Sequence, residues 1–301
     1  YMYISVNRPF VDDLIRVKYS ESETVNSISE LKHEIARASL EKVNIKKNIE
    51  ITSMADLPAG TGLGSSSTYT IGLLNALHCL KRDHIKIKDL AEEACEIEID
   101  ILKKPMGKQD QYLAAYGGFV ILEISRDGHV EVSNAKLSVS TIDQLKSNLL
   151  IFYTGEQRSN KKILKQQDQS TKEKNNTVLN SLNYIKESGY KILDILENGN
   201  ITELGKMFDE HWQFKKTMAS GISNSRFDEI YLEAKKNGAL GGKISGAGGG
   251  GFFTFYCEEK HSQLRKKMKE MGLIELRYDF DFEGTKVLAN FSNYQSEKNI
   301  K

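Results

Sequence analysis

Three cysteines in 301 residues, Cys79, Cys95 and Cys257, are too few, too far apart and odd in number for a disulfide framework. They show no CxxC spacing, which argues against a structural zinc site. The pattern fits a reducing, cytoplasmic setting in which each cysteine is a small buried hydrophobe. His33, His78, His84, His129, His211 and His261 are scattered without ligand spacing. Net charge is nearly absent as well, with Lys+Arg 42 against Asp+Glu 41. No global field draws the chain to nucleic acid or to an acidic membrane, so neither is expected as a partner. Lys161-Lys162 and Lys266-Lys267 sit among helix-spaced apolar residues and read as solvated faces. No stretch is long and apolar enough to span a bilayer. Internal repeats and long low-complexity tracts are lacking too.

What is present is a loop, Asp56-Leu57-Pro58-Ala59-Gly60-Thr61-Gly62-Leu63-Gly64-Ser65-Ser66-Ser67-Thr68. Glycines at alternate positions run into three serines and then into an apolar, helix-spaced stretch. A loop so poor in side chains lets backbone N–H groups converge on an anion, and the helix that follows adds its positive end. The chemistry implied is a phosphate chain and phosphoryl transfer. A flexible linker with a serine cap is the plainer alternative, but Pro58, Leu63 and the tight strand and helix flanks count against it. It is not a Walker A loop, because serines rather than Lys-Ser/Thr follow Gly64. The cradle therefore works without a P-loop lysine, and a serine hydroxyl, Ser66, is the candidate Mg²⁺ ligand.

Periodicity predicts strands at 1–6, 49–54, 117–122 and 149–153, with a hairpin turn at Asp127-Gly128. It predicts helices at 22–40, 66–80, 87–102, 160–198, 201–218, 226–236 and 259–271. Glycine-rich loop is expected over 238–251, then strands at 252–257, 275–282 and 285–289. Strands and helices mix without strict alternation, so the class is α+β, with domains expected at 1–156 and 157–301.

Three further segments carry chemistry-bearing residues. Glu98 flanks the apolar face of the 87–102 helix and is a candidate for the magnesium shell, in competition with Glu92, Glu93 and Glu96. Asp110, in Gly107-Lys108-Gln109-Asp110-Gln111-Tyr112, is a candidate catalytic carboxylate, since kinases need one to orient or deprotonate the acceptor hydroxyl. It would serve equally as a helix cap. In Gly241–Gly251, Gly246, Gly248 and Gly251 formally match GxGxxG, but a strand follows where a dinucleotide fold needs a helix. So many glycines signal a backbone that approaches something closely, read here as a second wall against the substrate and phosphates, with a turn-rich loop of positive φ as the plainer alternative. After the 149–153 strand comes Thr154-Gly155-Glu156-Gln157-Arg158-Ser159, where Arg158 is a candidate to grip a phosphate or an anomeric hydroxyl, with a solvated arginine as the equal alternative.

Pro58–Thr68 and Lys243–Gly251 together, in this order and at this separation, resemble the second and third motifs of the GHMP kinase superfamily. The resemblance covers nearly the whole chain. Gly107–Tyr112 with Gly117-Gly118 is similar to the sugar 1-kinases. Thr154–Ser159, Gly241–Ala247 and Phe280–Val287 look most like the D-glycero-D-manno-heptose 7-phosphate kinase family, with fucokinase and galactokinase-like enzymes as the alternatives. A non-catalytic nucleotide or sugar sensor is an alternative of another class, disfavoured by the presence of Ser66, Glu98 and Asp110.

The resemblance implies a two-lobed fold, with a ribosomal-protein-S5-domain-2-like N-terminal lobe and a ferredoxin-like C-terminal lobe. It implies ATP and Mg²⁺, and phosphorylation of heptose 7-phosphate at C1 to the 1,7-bisphosphate for GDP-heptose. Asp110 would be catalytic. Pro58, Gly60, Gly62, Leu63, Gly64, Ser65, Ser66 and Ser67 would hold the ATP phosphates, and Ser66 and Glu98 the metal. Gly107, Gly155, Arg158, Gly246 and Gly248 would line the sugar site. The distal phosphate needs a basic pocket, with Arg158, Lys161, Lys108, Lys103 and Arg8 available. A small-molecule sugar phosphate is thus the expected partner of a monomer or homodimer. The superfamily's first motif would lie before Tyr1, so the chain is expected to lack about one or two N-terminal strands and to catalyse weakly.

Overall fold

The computed structural model describes residues 1–58, 60–156, 161–173 and 176–291. The chain divides into two compact units. One comprises 1–58, 64–118 and the chain from Asp281; the other comprises 59–63 and 119–280. These units fall differently from the 1–156 and 157–301 division suggested by composition.

The first unit carries a four-stranded sheet in the order β1-β4-β2-β3, made of β1 (Met2–Asn7), β2 (Ile15–Lys18), β3 (Ser22–Val25) and β4 (Ile49–Ala55). β4 pairs antiparallel with β1 and parallel with β2. Ile15, Val17, Ile49 and Ile51 are fully buried, the alternation expected of strands with one covered face. The helices of this unit are α1 (Glu34–Lys42), α2 (Ser65–Lys81), α3 (Ile87–Cys95) and α4 (Gln109–Tyr116). Ile71, Leu74 and Leu77 of α2 are fully buried, as their spacing predicts.

Two expectations fail. Residues 22–40 are not one helix. Ser22–Val25 pairs with β2, a 3₁₀ turn covers Ile28–Glu30, and α1 begins only at Glu34. The helix-like spacing of Val25, Ile28, Leu31 and Ile35 is overridden by the β2–β3 hairpin. Glu23, pointing inward, accepts the Lys32 and His33 N–H groups at 2.6 and 3.0 Å and holds the chain extended. The second failure lies at the C-terminal end: of the strand expected at 275–282 only Ile274–Leu276 pairs, in the second unit, and the strand expected at 285–289 does not form. Beyond Phe280 the chain bonds to the end of α4, with Gly118 N–H donating to Asp281 O and Thr285 N–H to Ala115 O. No ladder partner is offered there, and none forms.

The second unit opens with the hairpin β5 (Val120–Ile124) and β6 (Val130–Asn134), turning at Asp127-Gly128 as expected. Its main sheet is antiparallel throughout, in the order β10-β7-β9-β8, from β7 (Leu149–Tyr153), β8 (Ala239–Ile244), β9 (Phe252–Cys257) and β10 (Ile274–Leu276). Helices α5 (Val139–Asn148), α6 (Lys161–Lys172), α7 (Asn176–Asn198), α8 (Thr202–Lys216), α9 (Ser225–Lys236) and α10 (His261–Glu270) complete it. Phe152, Trp212, Phe227, Phe253 and Phe255 fill the core.

Here the sequence reading missed β8, which hides inside the glycine run. Its glycines exist for packing. A Cβ on Gly241 would lie 2.0 Å from the Gly205 carbonyl of α8, so strand and helix touch backbone to backbone. Among the cysteines, Cys95 and Cys257 are buried as expected. Cys79 is only half-buried and accepts a hydrogen bond from Asn290.

Candidate active site

In the first unit the site is built around Glu98. α3 does not stop at Cys95 but continues as a π-helical stretch, Glu96–Ile101. One wider turn shifts the helix face, and such stretches recur at functional sites. It buries Glu98 completely, where an exposed helical glutamate is the ordinary outcome. A buried carboxylate needs partners, and this one has four. Ser66 donates to Oε1, Ser67 to Oε2 at 2.7 Å, and Gln111 Nε2 to Oε2 at 2.8 Å. Lys104 Nζ donates to Oε1 at 3.0 Å and to Ser66 Oγ at 2.8 Å.

Each partner is delivered by a local feature. Gly64, in the left-handed region at φ 69°, ends the loop and starts α2 on the serines. After the π turn, Lys104 N–H donates back to the Glu98 carbonyl at 2.9 Å, which folds Lys104 over the carboxylate. Gln111 sits on the first turns of α4, and its Oε1 is buried without a partner.

Asp110 occupies the first turn of the same helix. Its carboxylate lies against Gly64, where an added Cβ would meet it at 3.5 Å. Among the described residues no hydrogen bond or ion pair engages it. Burial, and behind it the charge of Glu98, pushes its carboxyl above the ordinary carboxylate range. A carboxylate held without a partner at the start of α2 is free to take a proton from a substrate.

No group of three or more His, Cys, Asp or Glu fit to hold a metal occurs among the described residues. Magnesium asks for fewer, usually one or two carboxylates with substrate phosphates completing the shell. Ser66 Oγ and Glu98 Oε1 meet that test. Both are oxygen donors, and a cation, the Lys104 ammonium, already rests on the two of them.

In the second unit the two glycine-rich segments meet each other. Gly62 and Gly246 are in backbone contact, and a Cβ on Gly246 would lie 2.8 Å from Gly62 O. A Cβ on Gly251 would lie 2.1 Å from Thr61 O. The close approach signalled by so many glycines is therefore, in part, an approach of one loop to the other. Gly60, Gly62, Gly246, Gly248, Gly249, Gly250 and Gly251 all have positive φ. Thr154 and Glu156 wire this arrangement to β7, with Thr154 N–H donating to Gly251 O and Gly251 N–H to Glu156 O, both at 2.9 Å.

The remaining expected residues are placed as follows. Ser65 opens α2, and Leu63 is partly exposed. Pro58 ends the stretch after β4. Gly107 and Gly155 have open space where a Cβ would be. Arg158 lies outside the described residues, as does the Lys161 side chain. Lys108 is bound to Glu92 at 2.8 Å, while Lys103 and Arg8 are exposed. Sequence reasoning missed Lys104 and Gln111. Gln111 lay within a segment already singled out, but nothing in the order of residues announces the π turn that brings Lys104 back.

Comparison with known proteins identifies the family. Residues 27–118 match the GHMP kinases N terminal domain and residues 192–272 the GHMP kinases C terminal domain. The chain is 30% identical over 243 residues to the D-glycero-alpha-D-manno-heptose 7-phosphate kinase of Campylobacter jejuni, covering 79% of this chain and 70% of that protein. It is 27% identical to the L-fucokinase/L-fucose-1-P guanylyltransferase of Bacteroides fragilis over 77% of this chain, but spans only 25% of that longer protein. The crystal structure of a D-glycero-D-manno-heptose 1-phosphate kinase from Bacteroides thetaiotaomicron shares the fold, with a TM-score of 0.75 at 23% identity, covering 96% of this chain and 88% of that one. With its α+β architecture and both domain matches, the chain belongs to the GHMP kinase family and is an ATP-dependent kinase.

Proposed function

We propose that this kinase transfers the γ-phosphoryl group of ATP to the anomeric hydroxyl of a sugar phosphate, D-glycero-D-manno-heptose 7-phosphate. The observation that carries the reading is the Asp110 carboxylate, which lies against Gly64 at the start of α2 without a partner among the described residues, in a chain 30% identical to a heptose 7-phosphate kinase. Asp110 accepts the proton of the anomeric hydroxyl. The hydroxyl oxygen forms a bond to the γ-phosphorus as the bond to the bridging β–γ oxygen breaks, leaving ADP. The N–H groups at the start of α2, with Gly60, Gly62 and Gly64, hold the donor phosphates by backbone and helix dipole. Ser66 and Glu98 would hold Mg²⁺, which neutralises charge on the transferring phosphates. Gly107, Gly155, Arg158, Gly246 and Gly248 are proposed to border the sugar. Positioning and electrostatics supply the acceleration, as expected where the transition state is loose.

The test is ADP release by the purified chain with heptose 7-phosphate, fucose and galactose as competing acceptors. Preferential turnover of heptose 7-phosphate supports the reading. Turnover of fucose or galactose with none of the heptose phosphate would replace it by a fucokinase or galactokinase assignment. ATP binding without turnover of any acceptor would favour a sensor.

A further inference from the structure

Two lysines and a histidine converge in the second unit, and among the described residues no acid pairs with them. His211 and Lys215 lie one turn apart on α8, and Lys243 lies on β8, the strand α8 packs against. Lys215 Nζ donates to the Ile244 carbonyl at 2.8 Å and to the Gly246 carbonyl, clasping the start of the glycine-rich loop. One of its three N–H donors remains. The Lys243 ammonium sits 5.3 Å from the centre of the Phe208 ring and has no hydrogen bond or ion pair among the described residues.

Neighbouring lysines differ. Lys216 reaches Asp228 at 3.7 Å and Lys235 reaches Asp209 at 3.1 Å. Lys215 and Lys243 reach no carboxylate among the described residues. The Lys243 charge instead raises the cost of charging Lys215 and His211, and the Lys215 charge that of charging His211. Burial first, and the Lys243 charge second, pull Lys215 down to about 7. Burial, with Lys243 and Lys215 behind it, pulls His211 down to about 3. Leaving such groups without a counter-ion is unfavourable, and an anion would relieve it.

Hydroxyl groups stand beside the cluster. Lys243 pairs across the ladder with Thr254, and Ser245 Oγ lies 3.3 Å from Thr254 Oγ1. Thr254, the ladder partner of Lys243, therefore has both Lys243 and Ser245 beside it. Ammonium groups, hydroxyls and the adjoining Gly246 backbone are the donor set that a phosphate monoester requires.

We propose that Lys243, Lys215, Ser245 and Thr254, with His211 beside them, form a subsite for a phosphate group, that of the sugar phosphate acceptor. The assignment rests on the proposed function for its acceptor, and it replaces the scattered basic residues that the sequence offered. ATP is the other source of a phosphate group, so the experiment separates the two.

Lys243→Gln and Lys243→Arg are compared with the unaltered chain in two measurements. Inorganic phosphate binding is titrated by calorimetry, and KM is determined separately for heptose 7-phosphate and for ATP. Thermal melting of each variant confirms folding. Lys243→Gln should lose phosphate binding and raise KM for the heptose phosphate about tenfold or more, with KM for ATP little changed. Lys243→Arg should restore both. Undiminished phosphate binding in a folded Lys243→Gln variant overturns the subsite. A rise in KM for ATP alone gives the site to the donor and overturns the acceptor assignment. If the unaltered chain turns over no heptose phosphate, the proposed function falls, while the phosphate titration still decides the subsite.

Discussion

Lys104 Nζ lies 3.0 Å from Glu98 Oε1, and it bonds Ser66 Oγ at the same time. The ammonium occupies the two oxygens proposed above to hold a magnesium ion. Metal and lysine are then competitors, and the Lys104→Met variant should reach half-maximal activity at a lower Mg²⁺ concentration. A Mg²⁺ titration of initial rate checks this. A higher requirement in Lys104→Met would mean that lysine and metal act together.

Asp110→Asn should lower kcat by about 10²–10⁴-fold, the usual worth of a general base. ATP binding, followed by fluorescence of a nucleotide analogue, should persist. In the unaltered chain the base must be deprotonated. Because burial and Glu98 raise its pKa, the acid limb of the rate profile should fall above the ordinary carboxylate range. Turnover of Asp110→Asn at the original rate would remove Asp110 from the chemistry.

Gly251→Ala and Gly272→Ala make a matched pair. Both positions have positive φ, 91° and 80°. At Gly272 nothing lies within 4 Å of an added Cβ, whereas at Gly251 the Thr61 carbonyl would be 2.1 Å away. Gly272→Ala should cost about 1–2 kcal/mol of stability, the backbone penalty alone. Gly251→Ala should cost clearly more, because one loop must move off the other. Urea denaturation measures both, and equal costs would deny the close approach of the two loops.

Lys215 makes stability rise with pH. Its folded pKa of about 7 lies below the 10.5 of the free side chain, so between these values the unfolded chain binds more protons. Folding should therefore grow more favourable from about pH 7 toward 10.5 and lose that contribution below 7. The slope should be smaller in Lys215→Met, as denaturation at pH 7 and pH 9.5 would reveal. Identical slopes would show that Lys215 keeps an ordinary pKa in the folded chain.

Much of the fold was legible because its signals are local. The Ile71, Leu74 and Leu77 stripe, the Leu149–Tyr153 run and the Asp127-Gly128 turn each act within a few residues, and each element forms where expected. Where reading failed, a distant partner had intervened. Ser22–Val25 is a strand because β2 pairs with it. The chain after Phe280 is no strand because the end of α4 takes its hydrogen bonds instead.

The sequence by itself determined the chemistry on offer. Glycines that permit positive φ, serines at a helix start and a carboxylate within an amide-rich segment are properties of residue type and order, and they specify phosphate handling before any folding is considered. Only the tertiary structure decided how that chemistry is arranged. Burial of Glu98 depends on a π turn, its occupation by Lys104 on the backbone returning from that turn, and the uncompensated pair Lys215 and Lys243 on a helix lying against a strand. Those are relations between residues distant along the chain or across a change of helix type. Desolvation and charge act through space, and spacing along a sequence does not record them.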